Sequence, residues 1–335
     1  MRLSPILGLC AVLAAAMPAS ANESEQALAS LKIQLAAAEA PGDIVSDMAL
    51  FKMIPVVMGY QPDLDALDPA LVSRLRSVQT SLGERLVREY DSDPTALALE
   101  LRCLPASRAQ PGCEARMDRL SGLAGDNAYH HIVLMGTAAA LGDPTAMLEY
   151  ARRAAQAPDY RNDVTTVFSS LYARFSQVPE SLWRELDAPD GQVQSPGVEA
   201  MAHAAAVGLP HYKSIVDACR GAGGELRGLC LEVGKKMTHE SSVLLDIEIG
   251  AKLVAALGDE DDQAQTLRQL REARWLGRAI VTADSALDAA QWDEYFATYA
   301  REGELGALRY AARAQGIAPV PPEGWTGEPE ARPAS

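Results

Sequence analysis

One stretch of this chain occurs twice, and a duplicated plan restricts the available folds more than any single motif does. Ala96–Asp143 reads ALALELRC, a break at Pro111-Gly112, CEARMDRL, a break at Gly125-Asp126, then YHHIVLMGTAAALGD. The same order recurs as VDAC, a glycine-rich break, LCLEVGKKM, THESS and LLDIEIGAKLVAALGD. Cys219 follows Cys103 by 116 residues, and Asp259 follows Asp143 by the same 116. The pentapeptide AALGD closes both copies, at Ala139–Asp143 and Ala255–Asp259. Cys230 follows Cys113 by 117, so one residue is inserted within the second cysteine pair and compensated after it. Two copies of one plan predict a repeat architecture built by stacking.

The periodicity is helical throughout. Ala and Leu are abundant, aromatics make up 5% of the chain, and β-branched runs are rare, a composition that favours helix over sheet. Apolar residues recur at helical spacing, as in Leu71, Leu75, Val78, Leu82 and Leu86. Asp68-Pro69, Asp93-Pro94 and Asp143-Pro144 each read as a helix start, an aspartate cap followed by a proline in the first turn. Asp43–Tyr60 reads as a buried helix broken at Pro55, and Asp284–Ala300 and Glu304–Ala314 as two separate helices. The fold class expected is all-α, a superhelical array of antiparallel helical hairpins. Its N-terminal half is 22–187 with the first copy, and its C-terminal half is 197–316 with the second. Pro189, Gly191 and Pro196 mark the boundary. From Ile317 the composition turns to proline and glycine and predicts a disordered tail, 317–335, with Trp325 inside it.

Met1–Ala21 reads as a secretory signal peptide: Arg2, an apolar run over Ile6–Met17, and a small-x-small site at Ala19-Ser20-Ala21. Its apolar run is too short for a membrane span, which needs about 20 residues. Leu9 before Cys10 argues against a lipoprotein. The chain is therefore expected to be exported, most simply to a bacterial periplasm. Cys103, Cys113, Cys219 and Cys230 are then expected in disulfides. The repeat favours Cys103–Cys113 and Cys219–Cys230, one bridge per copy. Intervals of nine and ten residues are long for a zinc site, and C-x-x-C is absent. The net charge of −15 opposes binding to phosphate backbones, so no nucleic acid is expected, while a basic partner is compatible.

Leu141–Tyr160, LGDPTAMLEYARRAAQAPDY, resembles a tetratricopeptide-type helix-turn-helix repeat. Small residues stand at Gly142, Ala146 and Ala154, Tyr150 lies one turn past Ala146, and Pro158 closes the helix; Arg153 replaces a usual alanine. The resemblance implies an α-solenoid that binds a protein or peptide on a concave face.

No motif carries a reaction. Gly221-Ala222-Gly223-Gly224 lacks the following Lys-Ser/Thr of a phosphate loop. His130 and His131 are adjacent and point to different helix faces, and His203, His211 and His239 show no ligand spacing. No metal or cofactor is expected. Two carboxylate pairs, Asp246 with Glu248 and Glu302 with Glu304, have the residue types for acid–base work. Asp246 interrupts the apolar run VLLDIEIG, so either it is buried with a raised pKa or it faces water or an arginine. The leading expectation is an exported, non-enzymatic helical-repeat protein that binds a protein or peptide. The alternatives are an all-α superhelical enzyme acting on cell-wall polysaccharide and an acidic immunity-type inhibitor of a basic toxin.

Overall fold

The computed structural model describes residues 22–59, 68–101, 112–184, 195–282 and 287–325. Among them are fifteen α-helices and no β-strand; Asn127 and Asp159 form one isolated backbone bridge. The helices are α1 Asn22–Glu39, α2 Ile44–Gly59, α3 Pro69–Glu89, α4 Pro94–Glu100, α5 Cys113–Leu123, α6 Ala128–Leu141, α7 Pro144–Gln156 and α8 Asp163–Phe175. They continue as α9 Glu180–Arg184, α10 Pro196–Val207, α11 Tyr212–Arg220, α12 Gly224–Glu240, α13 Leu244–Leu257, α14 Glu260–Thr282 and α15 Ala289–Ala314. No described helix is long and apolar enough to cross a membrane. Residues 1–21, Cys103 and most of the expected boundary, 185–194, lie outside the described residues.

The aspartate–proline starts behave as their chemistry requires. Asp68, Asp93 and Asp143 each accept a backbone N–H from the first turn of the helix that follows, and proline fills N1, where no N–H is needed. Two boundaries differ from expectation. Helix α2 runs unbroken past Pro55. The two helices expected near the end are one helix, α15, bent at Gly303, whose φ of 76° lies in the left-handed region that glycine enters without steric cost.

The described residues form two compact units, one drawn from within 1–125 and 163–210 and the other from within 126–162 and 211–335. They are interleaved along the chain, where consecutive halves were expected. In the first unit α2 is the hub, packed against α1, α3, α4, α8 and α10. Its Ala49, Leu50 and Ile54 are fully buried, as are Val167, Phe168, Leu171 and Phe175 of α8. In the second unit α6 packs on α7 and α11, and α13 packs on α11, α12 and α14. Every residue of α6 from Ala128 to Ala138 is buried. A helix buried on all sides must be surrounded, and α6 is enclosed partly by α11: a Cβ on Gly136 would lie 3.1 Å from Ile215.

The duplication survives as matched elements. Helices α6 and α13 have the same length, their bounds differing by 116 residues at both ends, and α7 and α14 begin 116 apart. Both AALGD segments form the corner between such helices. Asp143 caps α7, and Asp259 accepts the N–H of Asp262. The surroundings of the copies are not equivalent: α4 and α5 belong to the first unit, whereas the second copy lies wholly in the second unit. Cys219 and Cys230 are bonded as expected. That bridge ties α11 to α12 across the glycine loop, a restraint worth about 3 kcal/mol in the chain-entropy account. Cys113 is also disulfide-bonded, at the start of α5.

Helices α12 and α13 cross backbone to backbone. A Cβ on Gly250 would stand 2.5 Å from the Gly234 carbonyl oxygen and 2.8 Å from the Met237 Cβ. Gly250→Ala is therefore expected to destabilise the second unit by about 1–3 kcal/mol, read as a lower urea midpoint, while Gly228→Ala, inside α12 and meeting nothing within 4 Å, should raise the midpoint, stabilising the unit by up to about 1 kcal/mol through helix propensity.

Residues 317–325, expected within the disordered tail, are seated on α14. Ile317 packs against the cluster of Leu244, Ile247, Leu270 and Leu308. The Trp275 Nε1–H donates to the Ala318 carbonyl at 2.7 Å, Arg271 Nη2 donates to the Pro322 carbonyl at 2.9 Å, and Trp325 meets Trp275 edge-on at 5.5 Å. Proline-rich composition disfavours helix and sheet, but it leaves carbonyl oxygens free for side-chain donors.

Candidate functional site

The polar node of the second unit is built on Asp246, in the first turn of α13. Its side chain is fully buried. Oδ2 accepts from the Tyr160 hydroxyl at 2.7 Å, the Ser241 hydroxyl at 2.8 Å and the Asn162 Nδ2 amide; Oδ1 accepts from the Tyr212 hydroxyl. Four donors and the positive end of α13 favour the carboxylate. Burial acts against them and is the larger effect, so the carboxyl sits above its ordinary range. Burial, with the Asp246 charge, likewise holds the Tyr160 and Tyr212 phenols well above theirs.

Glu304 reaches the same helix end from α15. The bend at Gly303 turns Glu304 toward α13, where Oε2 accepts the Leu244 N–H at 2.8 Å and the Leu305 N–H donates to the Ser242 carbonyl. Val243, the N-cap residue, provides no side-chain cap of its own. Glu304 therefore supplies from a distant part of the chain the oxygen that a helix start needs. Burial first, and then the Asp246 charge, push its carboxyl up to about 7, against the Leu244 hydrogen bond. Burial and Glu304 together raise the Tyr295 phenol.

The chain thus groups Asp246 with Glu304, taking one member from each expected carboxylate pair. Glu248 is buried against Arg274, bonded at 2.9 Å, and Glu302 is exposed. Asp246 takes the buried alternative of the two weighed for it. Tyr160, Asn162, Tyr212 and Ser241 went unmarked in the sequence because each is an ordinary polar residue beside a helix end; they meet only when α11 and the 157–162 segment close on α13.

The other expected positions are scattered. His130, His131 and His203 are buried on α6 and α10, and the His239 ring bonds to Gln269. No group of three or more metal-ligating residues occurs among the described residues. Gly221–Gly224 is the turn spanned by the Cys219–Cys230 bridge.

A second polar node lies in the first unit. Arg174, 1% exposed, donates Nε to the Ala37 carbonyl at 2.5 Å, Nη2 to the Ala38 carbonyl at 2.7 Å and Nη1 to Ser46 Oγ and the Asp47 carboxylate. Arg85 donates to Asp47 from the other side, Nε at 2.6 Å and Nη2 at 2.9 Å. Burial disfavours the Asp47 charge, but the two guanidiniums outweigh it and hold the carboxyl below its ordinary range.

The nodes have opposite pH behaviour. Glu304 binds its proton more tightly folded than unfolded. Its contribution is complete below its ordinary 4.5 and is lost as pH rises to about 7. At about 1.4 kcal/mol per pH unit the loss is at most about 3 kcal/mol. Asp47 contributes above its unfolded value and is lost on acidification. The second unit is therefore expected to have a lower urea midpoint at pH 8 than at pH 5, and Glu304→Gln should flatten that difference.

The chain matches no protein-family model, no curated protein and no solved structure.

Proposed function

We propose that this protein is an exported, periplasmic helical-repeat scaffold that binds a protein or peptide partner, its hairpins stacked in a tetratricopeptide-like superhelical array. One observation carries the reading: a helix face of the second unit already holds a non-helical, proline-rich segment, 318–325, through side-chain donors aimed at its backbone carbonyls. The Asp246 node supports it from the other side. Its carboxylate is sealed from solvent and both oxygens are taken by internal donors, an arrangement suited to fixing α13 in place. The Cys219–Cys230 bridge and the apolar N-terminal run accord with an oxidising compartment. Gentle cross-linking of the tagged chain in the exported fraction should recover a partner in near-stoichiometric amount, and Asp246→Asn should still capture it.

A second reading has one specific observation in its favour. Glu304, raised to about 7 beside a second carboxyl, could exchange a proton near neutral pH, as an enzyme acting on cell-wall polysaccharide requires. Under that reading Glu304→Gln abolishes turnover of a polysaccharide substrate; under the preferred one no such turnover exists, and Glu304→Gln keeps its partner.

A further inference from the structure

Leu267, Arg271 and Trp275 stand four residues apart on α14 and so form one stripe along its surface. The segment Ala318-Pro319-Val320-Pro321-Pro322 lies on that stripe with its direction set by two contacts. Its first residue is held by the Trp275 indole and its last by Arg271, so it runs against the direction of α14. The chain then turns: Gly324 has φ of 82°, the Trp325 N–H donates to the Pro322 carbonyl, and the Trp325 ring returns to Trp275.

Three features identify the chemistry this stripe recognises. Every hydrogen bond from α14 to the segment among the described residues goes to a carbonyl, and no N–H of the segment is used by α14. Proline fits such a receptor, since it has a carbonyl and no N–H, and a proline run is already extended before it binds. The stripe joins an aromatic ring to a guanidinium, a combination that suits extended proline segments. The resident segment also fills the site incompletely. Its hydrogen bonds to α14 reach Arg271, while Leu267, one turn further along the stripe, is 57% exposed and Val320 is 59% exposed. Arg271 Nε, though buried, has no acceptor among the described residues.

We infer that the Leu267–Arg271–Trp275 face of α14 is a receptor for proline-rich segments of a partner protein, and that Ala318–Trp325 occupies it in cis as a competing plug. This rests on the binding reading above and narrows it to one surface and one class of ligand. A partner segment that continued along the stripe from Arg271 to Leu267 would bury the exposed Leu267 side chain and gain that apolar area. The tethered plug competes at high effective concentration, so binding in trans is suppressed until the plug is loosened.

The test is fluorescence anisotropy with the full mature chain. The probe is a labelled synthetic peptide carrying Ala-Pro-Val-Pro-Pro twice, and the control has alanine at every proline. Trp325→Ala is expected to tighten probe binding at least about tenfold over the unaltered chain. A chain ending at Ile317 should do the same. In either background the alanine peptide should bind about tenfold more weakly. Trp275→Phe, which keeps a ring and removes the indole N–H, should weaken the probe by up to about tenfold. Equal binding of the two peptides, or no gain from either plug variant, overturns the inference. If cross-linking still recovers a partner in that case, the binding reading stands and only the proline receptor falls.

Discussion

Arg174→Ala is expected to remove about 3–5 kcal/mol from the first unit, enough to unfold a marginal domain. The loss has two parts. The carboxylate of Asp47, nearly fully buried, loses its buried partner, and at the last turn of α1 the Ala38 carbonyl loses its Arg174 donor while the Ala37 carbonyl is left with only the Ala40 N–H. Arg85 cannot compensate. It already bonds Asp47 and reaches neither carbonyl, and its side chain is 34% exposed. Arg85→Ala, removing an ion pair of similar geometry at the surface, is expected to lose only about 1 kcal/mol. The contrast between two arginines on one carboxylate separates burial from charge. Hydrogen exchange read by mass spectrometry would check it: Arg174→Ala should release the amides of α1 and α2, and Arg85→Ala should leave them protected. Gly42 belongs to the same construction, since a Cβ there would stand 2.8 Å from Arg174 Cδ.

Asp246→Ala should cost the second unit a similar about 3–5 kcal/mol, because it strands Tyr160, Tyr212, Asn162 and Ser241 as buried donors. Asp246→Asn is the informative companion. Its amide keeps one accepting oxygen and the shape of the side chain, so the expected loss falls to about 1–3 kcal/mol. It also removes the charge that raises Glu304, so the pH-dependent part of the stability should move to lower pH. Urea titrations at several pH values measure both effects. A catalytic Asp246 would behave differently, losing turnover with little change in stability.

Much of the helical framework was legible because it rests on local rules. Asp68, Asp93 and Asp143 mark their helix starts by side-chain chemistry alone, and the 116-residue offset predicts the matched bounds of α6 and α13. The Cys219–Cys230 bridge follows from the same spacing. What escaped the sequence depends on contacts far apart in the chain. Arg174 looks like a surface arginine within SLYARF until α8 meets the end of α1, 137 residues earlier. Asp246 and Glu304 were each marked, but with neighbours in sequence, because spacing along the chain says nothing of a carboxyl delivered by a bend at Gly303. Composition assigned Ile317–Trp325 to a disordered tail because it counts prolines and not the indole and guanidinium donors waiting on α14. The interleaving of the two units was hidden for the same reason: α6 is buried on every side, and its sequence does not say which helices surround it.

The reading of this chain as a partner-binding scaffold is tested most directly by placing a photo-activated cross-linking residue at Leu267 of the exported protein in cells, in the Trp325→Ala background that loosens the plug. The predicted result is one defined adduct, absent when the group is placed at Val87 on α3, whose linked peptide is a proline-containing segment of a single partner. No adduct at Leu267, together with polysaccharide turnover that Glu304→Gln abolishes, would contradict it.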